Sequence, residues 1–210
     1  MFEFVESIIE GLKHPLPGER AHQLFAPPGR SVSPAELINV GHYREASVAV
    51  ILCSYLEEPS ILLIKRSPYD GVHGGQISFP GGKKEADDKN SEVTARRETH
   101  EEIGLILSPG TTIGKLSNVF IPVSSFKVEP HVYHIDTPQE LTIDTREVED
   151  IFMLPIHALI AEHTVQKRTI FSPNGTSIAN VPAFVYENNI VWGATALILG
   201  ELRTILLDRN

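Results

Sequence analysis

The chain has a single cysteine, Cys53, in 210 residues, so no internal disulfide can form and the fold has to close on its own hydrophobic core. Cys53 ends the apolar run Val48-Ala-Val-Ile-Leu-Cys53, the setting of a buried, inert thiol rather than a nucleophile. Nothing approaches the ~20 apolar residues that span a bilayer, which argues against a membrane partner. The start carries Glu3 and Glu6 and no basic segment, so no secretory signal is expected and a cytoplasmic location is the default. Basic charge is also scarce. Eighteen Lys and Arg against 27 Asp and Glu leave a net charge of −9, which excludes a general nucleic-acid binder. The same balance opposes a polyanionic substrate unless bound cations and local bases such as Lys65, Arg66, Lys83 and Lys84 reverse the sign. With so little cysteine a structural zinc site is not expected either. His131 and His134 stand three apart on an expected strand and so face opposite ways, which discards them as joint ligands.

The hydrophobic pattern predicts the elements. Phe2, Val5, Ile8, Ile9 and Leu12 recur at helical spacing, giving an amphipathic N-terminal helix over 2–13. Residues 14–34 contain Pro15, Pro17, Gly18, Pro27, Pro28, Gly29 and Pro34 and read as an extended arm. Strands are expected at about 46–55 and 60–66, forming a hairpin around Glu57-Glu58-Pro59, and again at 112–119, 126–135 and 149–155. A short helix over 156–163 follows. A second hairpin, 164–171 with 181–187, turns around Ser172-Pro-Asn-Gly175, and a helix over 194–207 comes last. Strands interleaved with helices give an α+β fold, a mixed sheet with helices packed on it. No repeat interrupts this, so residues 41–210 read as one domain preceded by the helix and proline-rich arm of 1–40.

The chemistry concentrates in one acidic helix. Glu98, Glu101 and Glu102 stand at i, i+3 and i+4, which stacks three carboxylates on one face, with Arg97 beside the first. Like charges at that spacing weaken a helix by a few tenths of a kcal/mol per pair, a cost a bound cation would offset. Taken alone, the cluster reads first as a solvated helix face paired with Arg96, Arg97 and His100. The flanks change that. Upstream stands Phe79-Pro80-Gly81-Gly82, a loop whose bare backbone can approach a ligand. Asn90 and Ser91 are N-cap candidates, and Gly104 suits a left-handed C-cap.

This arrangement resembles the Nudix box, with Gly82, Arg97, Glu98, Glu101, Glu102, Gly104 and Leu105 in matching places. Asp88 replaces the first box glutamate, eight residues rather than seven separate it from Arg97, and Thr99 takes an aliphatic place. Residues 62–82 further resemble the extra motif of the coenzyme A pyrophosphatase branch, through Arg66, Ser67, His73, Gly75, Gln76 and Phe79 to Gly82. Gly71 departs from it, where members often carry a base.

The resemblance implies a Nudix-type α/β/α sandwich and a hydrolase that uses Mg²⁺ or Mn²⁺. Glu98, Glu101, Glu102 and the Gly82 carbonyl would be metal ligands, and Arg97 would orient Glu98. Glu147 or Glu149 would be the base outside the box, Glu147 foremost. Arg66, His73, Gln76 and Gly81 would contact substrate. That substrate would be a small nucleotide, CoA or acyl-CoA, with ADP-ribose or NADH as the alternative and a non-catalytic binding module as a third reading. A homodimer is a family-level expectation.

Overall fold

A computed structural model describes residues 2–33, 43–68, 74–138, 140–171 and 176–208. Two helices come first, α1 (Phe2–Leu12) and α2 (Glu19–Phe25). Then follow β1 (Arg44–Tyr55), β2 (Glu58–Arg66), β3 (Ile77–Ser78), β4 (Gly81–Lys83) and the acidic helix α3 (Ser91–Ile103). The rest comprises β5 (Thr112–Lys115), β6 (Val119–Ile121), β7 (Phe126–His134), β8 (Val148–Pro155), α4 (Ile156–Ile160), β9 (Val165–Phe171), β10 (Ser177–Tyr186), β11 (Asn189–Val191) and α5 (Gly193–Leu207).

The main sheet is mixed. β1 and β7 pair in parallel, and the other pairings are antiparallel. The apolar run of β1 is continuous because both of its faces are covered. Ala49, Ile51 and Cys53 point toward Ala95 and Ile103 of α3, whereas Val50 and Leu52 point toward Leu199 and Leu202 of α5. The result is the three-layer α/β/α arrangement. Cys53 is buried and its thiol is pushed up to about 12 by desolvation, as its sequence setting implies. β9, β10 and β11 form a second, three-stranded sheet.

The arm departs from the sequence expectation, because α2 is helical within what reads as an extended stretch. Its seven residues are too few to be stable alone, and packing decides the matter. Ala21 and Phe25 are buried, and a Cβ on Gly200 of α5 would collide with the Phe25 ring, so the two helices approach closely at that glycine. The contact is locked by Glu201, which is fully buried in α5 and accepts bonds from Gly18 N (2.8 Å), Ser117 N (2.9 Å) and Ser117 Oγ (2.7 Å). His22 Nε2 lies 3.5 Å from the same carboxylate.

Smaller differences have local causes. The β1–β2 turn falls on Leu56 and Glu57, both at positive φ, so Pro59 joins β2 instead of turning. The 112–119 stretch breaks into β5 and β6. The turn at 172–175 lies outside the described residues. No described helix is long and apolar enough to cross a membrane.

Candidate active site

Helix α3 has the caps its sequence calls for. The Asn90 side chain accepts from Val93 N at 2.9 Å, and Gly104 closes the helix at φ 71°. Thr99, in the aliphatic place, is buried and donates to the Ala95 carbonyl one turn back (2.7 Å), which satisfies its hydroxyl.

Arg97 organises the exposed half of the carboxylates. Its Nη1 donates to Glu98 Oε1 at 2.9 Å and Glu101 Oε2 at 2.8 Å, while Nε and Nη2 grip Asp88 at 3.2 and 2.9 Å. Asp88 therefore has a role that the shortened side chain and lengthened connector hide in the sequence. Nearly buried, it also accepts from Glu85 N and Thr94 Oγ1, and so fixes the guanidinium that fixes Glu98. The Arg97 hydrogen bonds hold the Asp88 carboxyl down at about 2. A folded-state value below the unfolded one contributes stability above pH ~4 and loses it as pH falls toward 2, about 2 kcal/mol in all. Asp88→Asn should therefore melt several degrees below the parent at pH 7. In thermal melts from pH 7 to pH 2, the gap should close below pH 4.

Glu102 sits differently. It is 1% exposed, with Oε1 on Arg66 Nη1 (3.0 Å) and Oε2 on Gly81 N (2.8 Å). Burial pushes its carboxyl up to about 7 against the pull of Arg66 and Gly81. Gly81 carries a φ of 147°, and a Cβ there would strike the Ser47 carbonyl, so only glycine can present this N–H. Gly82 is held close for another reason: its Cβ would lie 2.5 Å from the Glu98 carboxylate. The bare strand β4 thus lets Glu98 fold down onto the backbone.

Among the described residues, no three His, Cys, Asp or Glu side chains already converge as a metal group; the acids are gathered on Arg97 and Arg66 instead. The donor set nonetheless fits a hard divalent cation. One guanidinium faces three carboxylates, and Glu98 is pushed above the usual range by burial, with the Glu101 and Glu147 charges adding to it. Surplus negative charge beside a missing Cβ is a setting that a bound cation would neutralise.

A cleft of ≈ 370 Å³ opens beside Gly81 and Gly82. Arg66, Gln76 and Lys83 line it together with Trp192, Phe126 and Val123. Arg66 and Gln76 thus share a cleft with Gly81, while His73 lies outside the described residues. Glu147 is exposed in the turn before β8, where its carbonyl accepts from Ser67 N at 2.9 Å. Glu149 is drawn off into a pair with Lys65 at 2.6 Å. His131 and His134 stay apart, His131 against Ser91 and Glu129.

A glycine strand, an acidic helix folded against it and a cleft at their junction define a Nudix-type hydrolase. The NUDIX domain profile matches residues 43–172, and the chain belongs to the Nudix hydrolase family, whose members act with divalent metal ions. It is 37% identical over 160 residues to the mitochondrial coenzyme A diphosphatase of Homo sapiens, covering 74% of this chain and 67% of that one. It is 30% identical over 175 residues to NudL, an uncharacterized Nudix hydrolase of Yersinia pestis, covering 80% and 85%. Among solved structures, the NUDIX domain of Shewanella oneidensis NrtR complexed with ADP ribose superposes at a TM-score of 0.45 with 19% identity, covering 61% of this chain and 86% of that one.

Proposed function

We propose that the protein hydrolyses the diphosphate linkage of coenzyme A or an acyl-CoA, releasing 3′,5′-ADP and 4′-phosphopantetheine or its acylated form. The observation that carries this reading is the junction of the acidic cluster with the cleft. A diphosphate placed at Gly81 and Gly82 would leave the rest of a long ligand among the apolar lining residues, which include Phe126, Val123 and Trp192. The identity to a coenzyme A diphosphatase supports the same substrate.

Glu98, Glu101 and Glu102, with the Gly82 carbonyl, would hold Mg²⁺ or Mn²⁺. The ion would polarise the phosphoryl oxygens and acidify water at the site. Arg97 holds Glu98 and Glu101 in register and takes its own position from Asp88. Glu102 holds the Gly81 amide and Arg66, and the guanidinium N–H groups of Arg66 not taken by Glu102 can meet phosphate oxygens at the cleft wall. Glu147, whose charge reaches Glu98, is the group we assign to accept the proton of the attacking water. No covalent intermediate is needed. Residues 41–210 form the catalytic domain in this reading and 1–40 its N-terminal helix and arm, of which the described residues 2–33 dock on it, and a cytoplasmic location remains part of the proposal.

Product analysis tests the substrate. Incubated with Mg²⁺ or Mn²⁺, the protein should convert CoA to 3′,5′-ADP at least ten times faster than it cleaves ADP-ribose or NADH. Turnover of either alternative with no 3′,5′-ADP from CoA refutes the assignment.

A further inference from the structure

Arg30 is a half-buried cation in the cleft that the reaction described above does not use. It comes from the arm, thirteen residues before the family match begins, and lines the cleft with Val123, Ser124 and Phe126. A guanidinium carries five N–H donors. Here Nη2 donates to the Phe120 carbonyl at 2.7 Å, while Nε is buried with no acceptor. Among the described residues no carboxylate lies within ion-pair distance of it. Arg66, by contrast, faces the same cleft already paired with Glu102. Burial alone depresses the Arg30 pKa, so the charge is held where solvation disfavours it. A buried donor left unmatched costs about 1–3 kcal/mol, more for a charged group, and such groups call for a partner that is not part of the chain.

Its position says which part of a ligand that partner belongs to. β4 pairs with β1, β1 with β7, and β7 with β6, so Gly82 and Phe120 are three strand spacings apart, roughly 14 Å. Arg30 stands at the β6 wall and the acidic cluster at the β4 wall. We propose that Arg30 receives an oxyanion of the bound ligand that is remote from the diphosphate being cleaved. The inference rests on the reading of this cleft as the site for a CoA ester. Two groups of such a ligand have the required chemistry, the 3′-phosphate of the nucleotide and a carboxylate at the acyl end. Either matches the planar fork of a guanidinium.

Binding measured by calorimetry in EDTA, so that nothing turns over, separates the sources. CoA against dephospho-CoA isolates the 3′-phosphate, and malonyl-CoA against acetyl-CoA isolates the acyl carboxylate. In the parent protein the oxyanion-bearing member of one pair should bind about 10- to 100-fold more tightly. Arg30→Gln should abolish that preference without weakening the other member, and Arg30→Lys should restore part of it. Equal binding within both pairs, equal weakening of both members by Arg30→Gln, or no binding of any of the four overturns the proposal. If Arg30→Gln fails to fold, Arg30→Lys carries the test: its preference should fall below that of the parent, and an unchanged preference overturns the proposal. The 3′,5′-ADP assay judges the hydrolase reading separately, because it depends on metal and turnover.

Discussion

Glu98→Gln should lower kcat with CoA by roughly 10³-fold or more at saturating Mg²⁺, with the melting temperature unchanged or slightly raised. The activity loss follows from taking a charge out of the set that would hold the ion, where an interaction of several kcal/mol converts to a rate factor of that size. The stability expectation follows from electrostatics. Glu98 is disfavoured in its ionised form by burial, and Glu101 and Glu147 add to the cost, so a neutral isostere relieves repulsion. Glu102→Gln separates the two effects the other way. Both of its oxygens accept bonds, so an amide there leaves Arg66 or Gly81 poorly matched and costs stability as well as activity. Glu149→Gln, altered at a surface pair with Lys65, should stay within about twofold of the parent. Steady-state rates and thermal melts on the three variants are enough. Parent-like turnover by Glu98→Gln would remove the acidic helix from the chemistry.

The second large effect comes from adjacent glycines that should fail in different ways. Gly82→Ala places a methyl 2.5 Å from the Glu98 carboxylate, the mobile end of a side chain, so the carboxylate moves and the fold survives. We expect a loss of kcat of about 100-fold or more with a melting temperature near that of the parent. At Gly81 the collision is with backbone, the Ser47 carbonyl and the Val48 Cα, and φ is 147°. Gly81→Ala should therefore cost more than about 3 kcal/mol and reduce soluble yield. Circular dichroism melts alongside turnover distinguish the two. A Gly82→Ala enzyme with full activity would show that Glu98 need not lie against β4.

Much of this was legible beforehand wherever the governing contact is local. The Asn90 cap, the left-handed Gly104 and the back-bonded Thr99 depend on partners within four residues, and the sequence pattern alone predicts them. The two-sided burial of β1 was readable from its unbroken apolar run. What was not readable lies in partners far away along the chain. α2 is helical because Phe25 finds Gly200, and Arg30 enters the cleft because it reaches the Phe120 carbonyl. Asp88 was the nearest miss. Its distance from Arg97 breaks the expected spacing, yet the connector loops so that its carboxylate still meets the guanidinium. Glu102 was expected on one face with Glu98 and Glu101, and its burial against the Gly81 amide and Arg66 was not readable from the spacing.

The Glu201 lock joins Gly18 to a residue 183 positions later. During synthesis at about 5–20 residues per second, the arm must wait roughly 10–40 s before its carboxylate acceptor has even been made. Ala21 and Phe25 have no surface to cover them in that interval, and Arg30 has no cleft to enter. On a nascent chain the arm is therefore made well before the elements it docks on, and the finished pocket comes into being only when α5 arrives.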